Sequence, residues 1–251
     1  MTTVLITGAN RGIGLELLKL YAADPQNKVI ATARNAESGK TIESLAQNNI
    51  HVLLLDMNDS LEQIQASFEP LAEIAPEGID VVIQNAGASI DFPVPGTNPA
   101  NVGIDGYAKN FGNNTLGPIK IYQALYPYWT KKTGNIKKFI FVSSVMGLIN
   151  NYLGSISFGY GMSKAALNHF VKEVSTYNSK SDDETLKTSL VLAVHPGLVK
   201  TDMARDLIEK FNLTNYLTPD ESAGHLKKLF DGLKDGDNGT FKKFDGQQIL
   251  W

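Results

Sequence analysis

The chain has 251 residues, with 23 Lys plus Arg against 26 Asp plus Glu and a formal net charge of −3. Apolar residues make up 43% and charged residues 20%, a globular composition that excludes a disordered chain or a membrane channel, and the slightly acidic balance supplies no chain-wide cationic surface for nucleic acid. With no Cys at all, disulfides, thiolate metal sites and a cysteine nucleophile are excluded.

Met1-Thr2-Thr3 runs directly into Val4-Leu5-Ile6, without the basic start and apolar stretch of a secretory signal. The apolar run at 139–149 is broken by Ser143, Ser144 and Gly147 and is too short to span a bilayer, so a soluble, cytoplasmic protein without membrane partners is expected. In chain order, β-branched apolar runs at 3–7, 28–33, 51–55, 80–84, 138–143 and 189–195 predict strands, with a weaker one at 248–250. Between them, 14–23, 37–48, 61–74, 117–131 and 161–177 carry helical spacing. The segments 91–106 and 231–237 read as loops. Such alternation predicts a doubly wound Rossmann α/β fold: a seven-stranded, mostly parallel sheet between two helical layers. One domain over 1–251 is expected to carry cofactor and catalytic groups together.

The first strand leads through Gly8-Ala9-Asn10-Arg11-Gly12-Ile13-Gly14 into a helix. Gly8 allows a tight turn, Gly12 lets backbone approach a pyrophosphate, and Gly14 lets helix and strand pack closely. The N–H groups of the helix start then face the anion. A glycine turn that binds no dinucleotide has the same wording.

The spacing T-G-x-x-x-G-x-G at Thr7–Gly14, Asn85-Ala86-Gly87, Tyr160-x-x-x-Lys164 and Pro196-Gly197 follow one another in an order that resembles the short-chain dehydrogenase/reductases. This resemblance covers almost the whole chain. The N-terminal wording and the final Asp245-Gly246-Gln247-Gln248-Ile249-Leu250-Trp251 further resemble the Sniffer-like carbonyl reductases and their fungal relatives.

Tyr160 and Lys164 are four apart at a helix start, so both point along one face. An ammonium ~4 Å from the phenol, at an effective dielectric of ~20, would favour the phenolate by about 4 kcal/mol. That would bring Tyr160 toward the range useful for proton exchange. The resemblance gives Lys164 a second task, hydrogen bonding to the nicotinamide ribose. In Phe141-Val142-Ser143-Ser144-Val145-Met146-Gly147, a hydroxyl at the strand end could meet the substrate oxygen. The family's Ser-x-x-Gly spacing implies Ser144, with Ser143 as its rival. It likewise implies Asn114 of Asn113-Asn114-Thr115-Leu116-Gly117 as the support for a relay water, with Asn113 as rival.

For the cofactor, the resemblance implies contacts from the loop residues Gly8, Asn10, Arg11, Gly12, Ile13 and Gly14. Asp56 and Met57 fall beside the adenine, and Asn85, Ala86 and Gly87 beside its ribose. Pro196, Gly197, Val199 and Thr201 fall around the carboxamide. The second strand ends Ala33-Arg34-Asn35, with a cation where NAD enzymes usually place an acid. Arg34 and Arg11 would suit a 2′-phosphate, which points to NADP(H), although either could be a solvated surface residue. His51, His169, His195 and His225 are scattered without metal-ligand spacing, so no metal is expected.

The expected activity is reduction of a small carbonyl compound, or alcohol oxidation in reverse, through Ser144, Tyr160, Lys164 and Asn114. The alternative is an NADP-binding sensor on the same scaffold without turnover. A nucleotide-sugar epimerase would need a substrate domain for which the chain leaves little room. The segment 201–219, with Met203, Leu207, Phe211, Leu213 and Tyr216, is a candidate lid. Tyr122, Leu125, Tyr126 and Trp129, with the small strip Ala165, Ala166 and His169 on the next helix, suggest partner-facing surface. The expected assembly is a two-fold homodimer, with a homotetramer as its extension.

Overall fold

The computed structural model describes residues 1–90, 98–150 and 158–251. The chain begins with β1 (Thr3–Ile6), α1 (Gly12–Ala22), β2 (Lys28–Ala33), α2 (Ala36–Glu43) and β3 (Ile50–Leu54). It continues through α3 (Leu61–Ser67), α4 (Leu71–Ile74), β4 (Val81–Gln84) and α5 (Ile104–Phe111). A π-helical turn, Gly112–Leu116, joins α5 to α6 (Gly117–Trp129). Then follow β5 (Lys138–Val142), α7 (Phe158–Ser179), α8 (Glu184–Lys187), β6 (Leu190–His195), α9 (Asp202–Lys210), α10 (Pro219–Asp231), β7 (Phe241–Lys243) and β8 (Gln248–Ile249).

Among the described residues the strands form one sheet, in the order β3-β2-β1-β4-β5-β6-β7-β8. Every pairing is parallel except β7 with β8. The order reverses between β1 and β4, which opens a crevice at their carboxyl ends. Along β5, Phe139 and Phe141 face one helical layer while Ile140 and Val142 face the other, the two-residue period of a strand buried on both sides. Leu125, Leu167 and Val171 close the first face, and Leu17, Leu18 and Phe230 the second. The fold is the doubly wound Rossmann architecture.

Three differences from the sequence reading have local causes. The predicted helix 61–74 is two helices, because Pro70 removes an amide donor and starts α4 anew. The sheet has eight strands rather than seven. Phe241–Lys243 pairs parallel to β6, and Gln248–Ile249 returns antiparallel to it as an edge hairpin. The added strand is three residues long and two of them are lysines, too little apolar pattern to register. Finally, α5 begins inside the predicted loop 91–106, whose residues 91–97 lie outside the described ones.

The apolar surface expected to face a partner is largely spent within the chain. Trp129 and Leu125 are fully buried. Tyr122 packs edge-on against Tyr126, Phe139 and Phe170. On the outer side of α7, Met162 and Tyr177 remain exposed at 56% and 65%. Among the described residues no helix is long and apolar enough to cross a membrane.

Candidate active site

The carboxyl ends of β1, β4 and β5 open onto a cleft of about 440 Å³. It reaches from Arg34 and Ser38 at one end to Tyr160, Lys164 and Met203 at the other. Of the residues expected around a cofactor, all but Gly14, Gly197 and Val199 border it.

The glycine loop is built for close approach. Gly12 has φ +56°, a left-handed conformation that disfavours side chains, and a Cβ there would stand 3.3 Å from Thr201 Cγ2 across the cleft. A Cβ on Gly14 would lie 2.3 Å from the Gly8 carbonyl oxygen, so Gly14 acts through packing and does not border the cleft. Thr7 ties this loop to the next strand end: its Oγ1 donates to Gln84 Oε1 at 3.0 Å and accepts from the Asn85 and Ala86 amides at 3.1 and 3.0 Å. Asn85 Nδ2 returns bonds to the Thr7 and Gly8 carbonyls at 3.0 and 3.2 Å.

At the far end, Arg34 follows β2 and borders the cleft beside Asn35 and Ser38, which form a capping box at the start of α2. Among the described residues Arg34 makes no salt bridge, whereas Arg11 Nη1 pairs with Asp202 Oδ2 at 3.2 Å. Asp202, which borders the cleft, also pairs with Arg205. Asp56 Oδ1 accepts from the Asn58 backbone and side-chain amides at 2.9 and 3.0 Å. Ser38 and Asp202 are cleft residues the sequence reading did not name. Of these, only the helix-start spacing of Asn35 and Ser38 could have flagged one.

On α7, Lys164 is 4% exposed, and its Nζ donates to the Val142 carbonyl at 2.9 Å. It also lies 5.7 Å from the centre of the Tyr160 ring. Burial holds its ammonium down at about 8. The depressed phenol expected from the Tyr–Lys spacing is not found. Burial pushes Tyr160 up to about 12, with only the nearby Ser144 hydroxyl acting in the other direction. The spacing argument counted the attraction between the two groups and left out their shared desolvation, which penalises both charged forms.

The two serines after β5 differ: Ser143 borders the cleft, whereas Ser144 does not. Ser143 Oγ donates to Asn168 Oδ1 at 2.6 Å within the interface with α7. Ser144 lies beside the phenol and accepts from the Met146 amide at 3.1 Å. The two asparagines also differ. Asn114 is fully buried; its Oδ1 accepts from the Ala88 amide at 2.9 Å, while its Nδ2 donates to the Ala88 carbonyl at 2.7 Å and Ser163 Oγ at 3.1 Å. Asn113 borders the cleft and donates back to the Lys109 carbonyl at 3.0 Å. Both sit in the π turn, a local widening of the helix that recurs at functional sites.

His195 ends β6, where burial holds its imidazole at about 4, and its Nδ1 is buried without a partner among the described residues. It does not border the cleft. Ser222 Oγ donates to the Pro196 carbonyl at 2.7 Å and fixes the turn that follows. The segment after Thr201 leaves and returns through a clasped neck: the Lys200 amide donates to Leu217 O at 2.9 Å, and the Leu217 amide to Leu198 O at 2.8 Å. Most of it is α9, with Met203 at the cleft. Among the described residues, no cluster of three or more His, Cys, Asp or Glu is arranged to hold a metal.

The chain is similar to known proteins in sequence and in fold. A family model described as short chain dehydrogenase matches residues 2–212. An uncharacterized oxidoreductase of Schizosaccharomyces pombe is 33% identical over 256 residues, covering 97% of this chain and 96% of the relative. One from Saccharomyces cerevisiae is 35% identical over 267 residues, covering 98% and 96%. Among solved structures, the NADPH-bound carbonyl reductase from chicken fatty liver superposes with a TM-score of 0.83 at 28% identity, covering 100% of this chain and 99% of that one. The carbonyl reductase Sniffer of D. melanogaster gives 0.82 at 28% identity, with both chains fully covered. The chain is an oxidoreductase that belongs to the short-chain dehydrogenase/reductase family.

Proposed function

We propose that the protein is an NADPH-dependent carbonyl reductase that handles cofactor and substrate within one domain and converts small aldehydes or ketones to alcohols. The observation that carries this reading is the half-buried Tyr160 and the buried Lys164 on one face of α7 at the cleft, with Ser144 beside the phenol. A sensor on the same scaffold would have no need of a buried lysine next to a tyrosine, because the buried charge is costly.

The cleft fits a dinucleotide: the glycine at 12 leaves room for a pyrophosphate over the start of α1, and the amides at that helix end face it. Arg34 would meet a 2′-phosphate at the end of β2, and Arg11 would join it by leaving Asp202, which is the basis for preferring NADPH to NADH. When bound, the nicotinamide supplies the hydride. Lys164, anchored to β5 through Val142, would hold the ribose hydroxyls. Ser144 binds and polarises the substrate oxygen. Tyr160 donates its phenolic proton to the oxygen as the carbon is reduced, and the burial that keeps the phenol protonated suits it to this direction. Asn114 braces the floor behind Lys164 through Ala88 and Ser163. The α9 segment, clasped at its neck, covers the substrate with Met203 facing inward.

The exposed Met162 and Tyr177 on α7 support a homodimer. The test of function is consumption of NADPH and NADH by the purified protein against a panel of aldehydes and ketones. Steady turnover that favours NADPH supports the reading, and cofactor binding without turnover supports the sensor instead.

A further inference from the structure

Tyr160, Lys164 and Asn168 recur every four residues along α7 and share one face of it. That face meets three consecutive residues at the carboxyl end of β5. Lys164 holds the Val142 carbonyl, Asn168 accepts from Ser143, and Tyr160 lies beside Ser144. Two of these three pairings belong to the reading above, and the third has no role in it.

Ser143 and Asn168 are 1% and 5% exposed, and their bond is 2.6 Å long. Ser143 nevertheless borders the cleft. A serine hydroxyl turns about a single bond, so its direction follows its partner. Deprived of that partner, a buried hydroxyl has a strong incentive to find another. The groups within the same corner are Lys164, Tyr160 and whatever oxygen Ser144 would hold.

Resting on the carbonyl-reductase reading, we propose that Asn168 is a positioning residue for the reaction. By accepting from Ser143 it turns that hydroxyl into the helix interface, leaving Ser144 as the serine hydroxyl beside the proton donor. It also fixes the strand end whose Val142 carbonyl holds Lys164. Asn168 touches neither substrate nor cofactor in this role; it acts through Ser143.

The test uses the full chain with NADPH and a carbonyl compound that the wild type reduces. Asn168→Ala should lower kcat about ten- to a hundredfold, the cost of a small misplacement in a reacting constellation. NADPH affinity, read by fluorescence titration, should stay within roughly twofold, since the contacts to phosphate are untouched. Adding Ser143→Ala to Asn168→Ala removes the misdirected hydroxyl and should restore about fivefold or more of the lost kcat. Asn168→Asp, which keeps an acceptor oxygen, carries the same test if the alanine variant fails to fold, and it should be faster than the Asn168→Leu variant. A structural contact alone would lower the melting temperature and leave kcat unchanged below it. That outcome, or a double variant as slow as Asn168→Ala, overturns the proposal. Absence of turnover in the wild type would instead overturn the functional reading and the role of Asn168 with it.

Discussion

Lys164 Nζ donates to the carbonyl oxygen of Val142 at 2.9 Å, a bond that joins the helix carrying Tyr160 and Lys164 to the end of the strand that Ser143 and Ser144 follow. It fixes the lysine in a buried corner where its charge is costly, and that cost has measurable consequences.

One is in the pH profile. Burial holds Lys164 at about 8 and Tyr160 at about 12. Reduction needs the ammonium charged and the phenol protonated, so the first limit met on raising the pH is loss of charge on Lys164. For reduction, kcat/KM should be level below about pH 7 and fall with an apparent pKa near 8, because this ratio reports groups of the free enzyme. A profile that is level to about pH 10 would remove Lys164 from the role proposed.

Another is in stability. The folded chain holds the Lys164 proton less tightly than the unfolded one, at about 8 against the ordinary 10.5. Stability should therefore rise between those two values as pH increases, and at neutral pH the buried charge costs roughly 3 kcal/mol. Lys164→Met relieves that cost but leaves the Val142 carbonyl unpaired, for about 1 kcal/mol. The net gain should raise Tm by roughly 4–8 °C while turnover is lost. A Tm at or below the wild-type value contradicts this.

Cofactor choice is tested at Arg34. Arg34→Asp should weaken NADPH by roughly 2–5 kcal/mol, the range for losing a close charge partner, and improve NADH relative to it. An unchanged ratio of kcat/KM for the two cofactors would show that Arg34 does not read the phosphate.

Assembly is tested by light scattering over a dilution series at micromolar concentration. A mass near twice the 27.3 kDa of one chain is expected, with Met162→Lys shifting it toward the monomer by placing a charge at the contact. A mass that stays at one chain throughout excludes the dimer.

The layered fold was legible because each buried strand is a short apolar run and each glycine of the first turn has a geometric reason to be there. Strands such as Lys138–Val142 lie within one residue of their expected limits. Phe241–Lys243 was not legible, since its place in the sheet comes from pairing with β6 and not from its own pattern. The outward role expected of Trp129 failed for a related reason: helical spacing shows that a face is apolar but not how much of it the sheet absorbs. In the cleft, the Tyr–Lys spacing located both groups but mispredicted the phenol, because burial is a tertiary property. Asp202 and its pairing with Arg11, 191 residues away in the chain, had no local signal.

The central claim is that Tyr160 is the proton donor of a carbonyl reduction, and the most direct measurement is NADPH consumption by the wild type and Tyr160→Phe side by side, with cofactor affinity titrated on both. The account predicts steady turnover in the wild type and a loss of about a hundredfold or more in the variant, with NADPH affinity within roughly twofold. A Tyr160→Phe variant that keeps a tenth or more of wild-type turnover would contradict it.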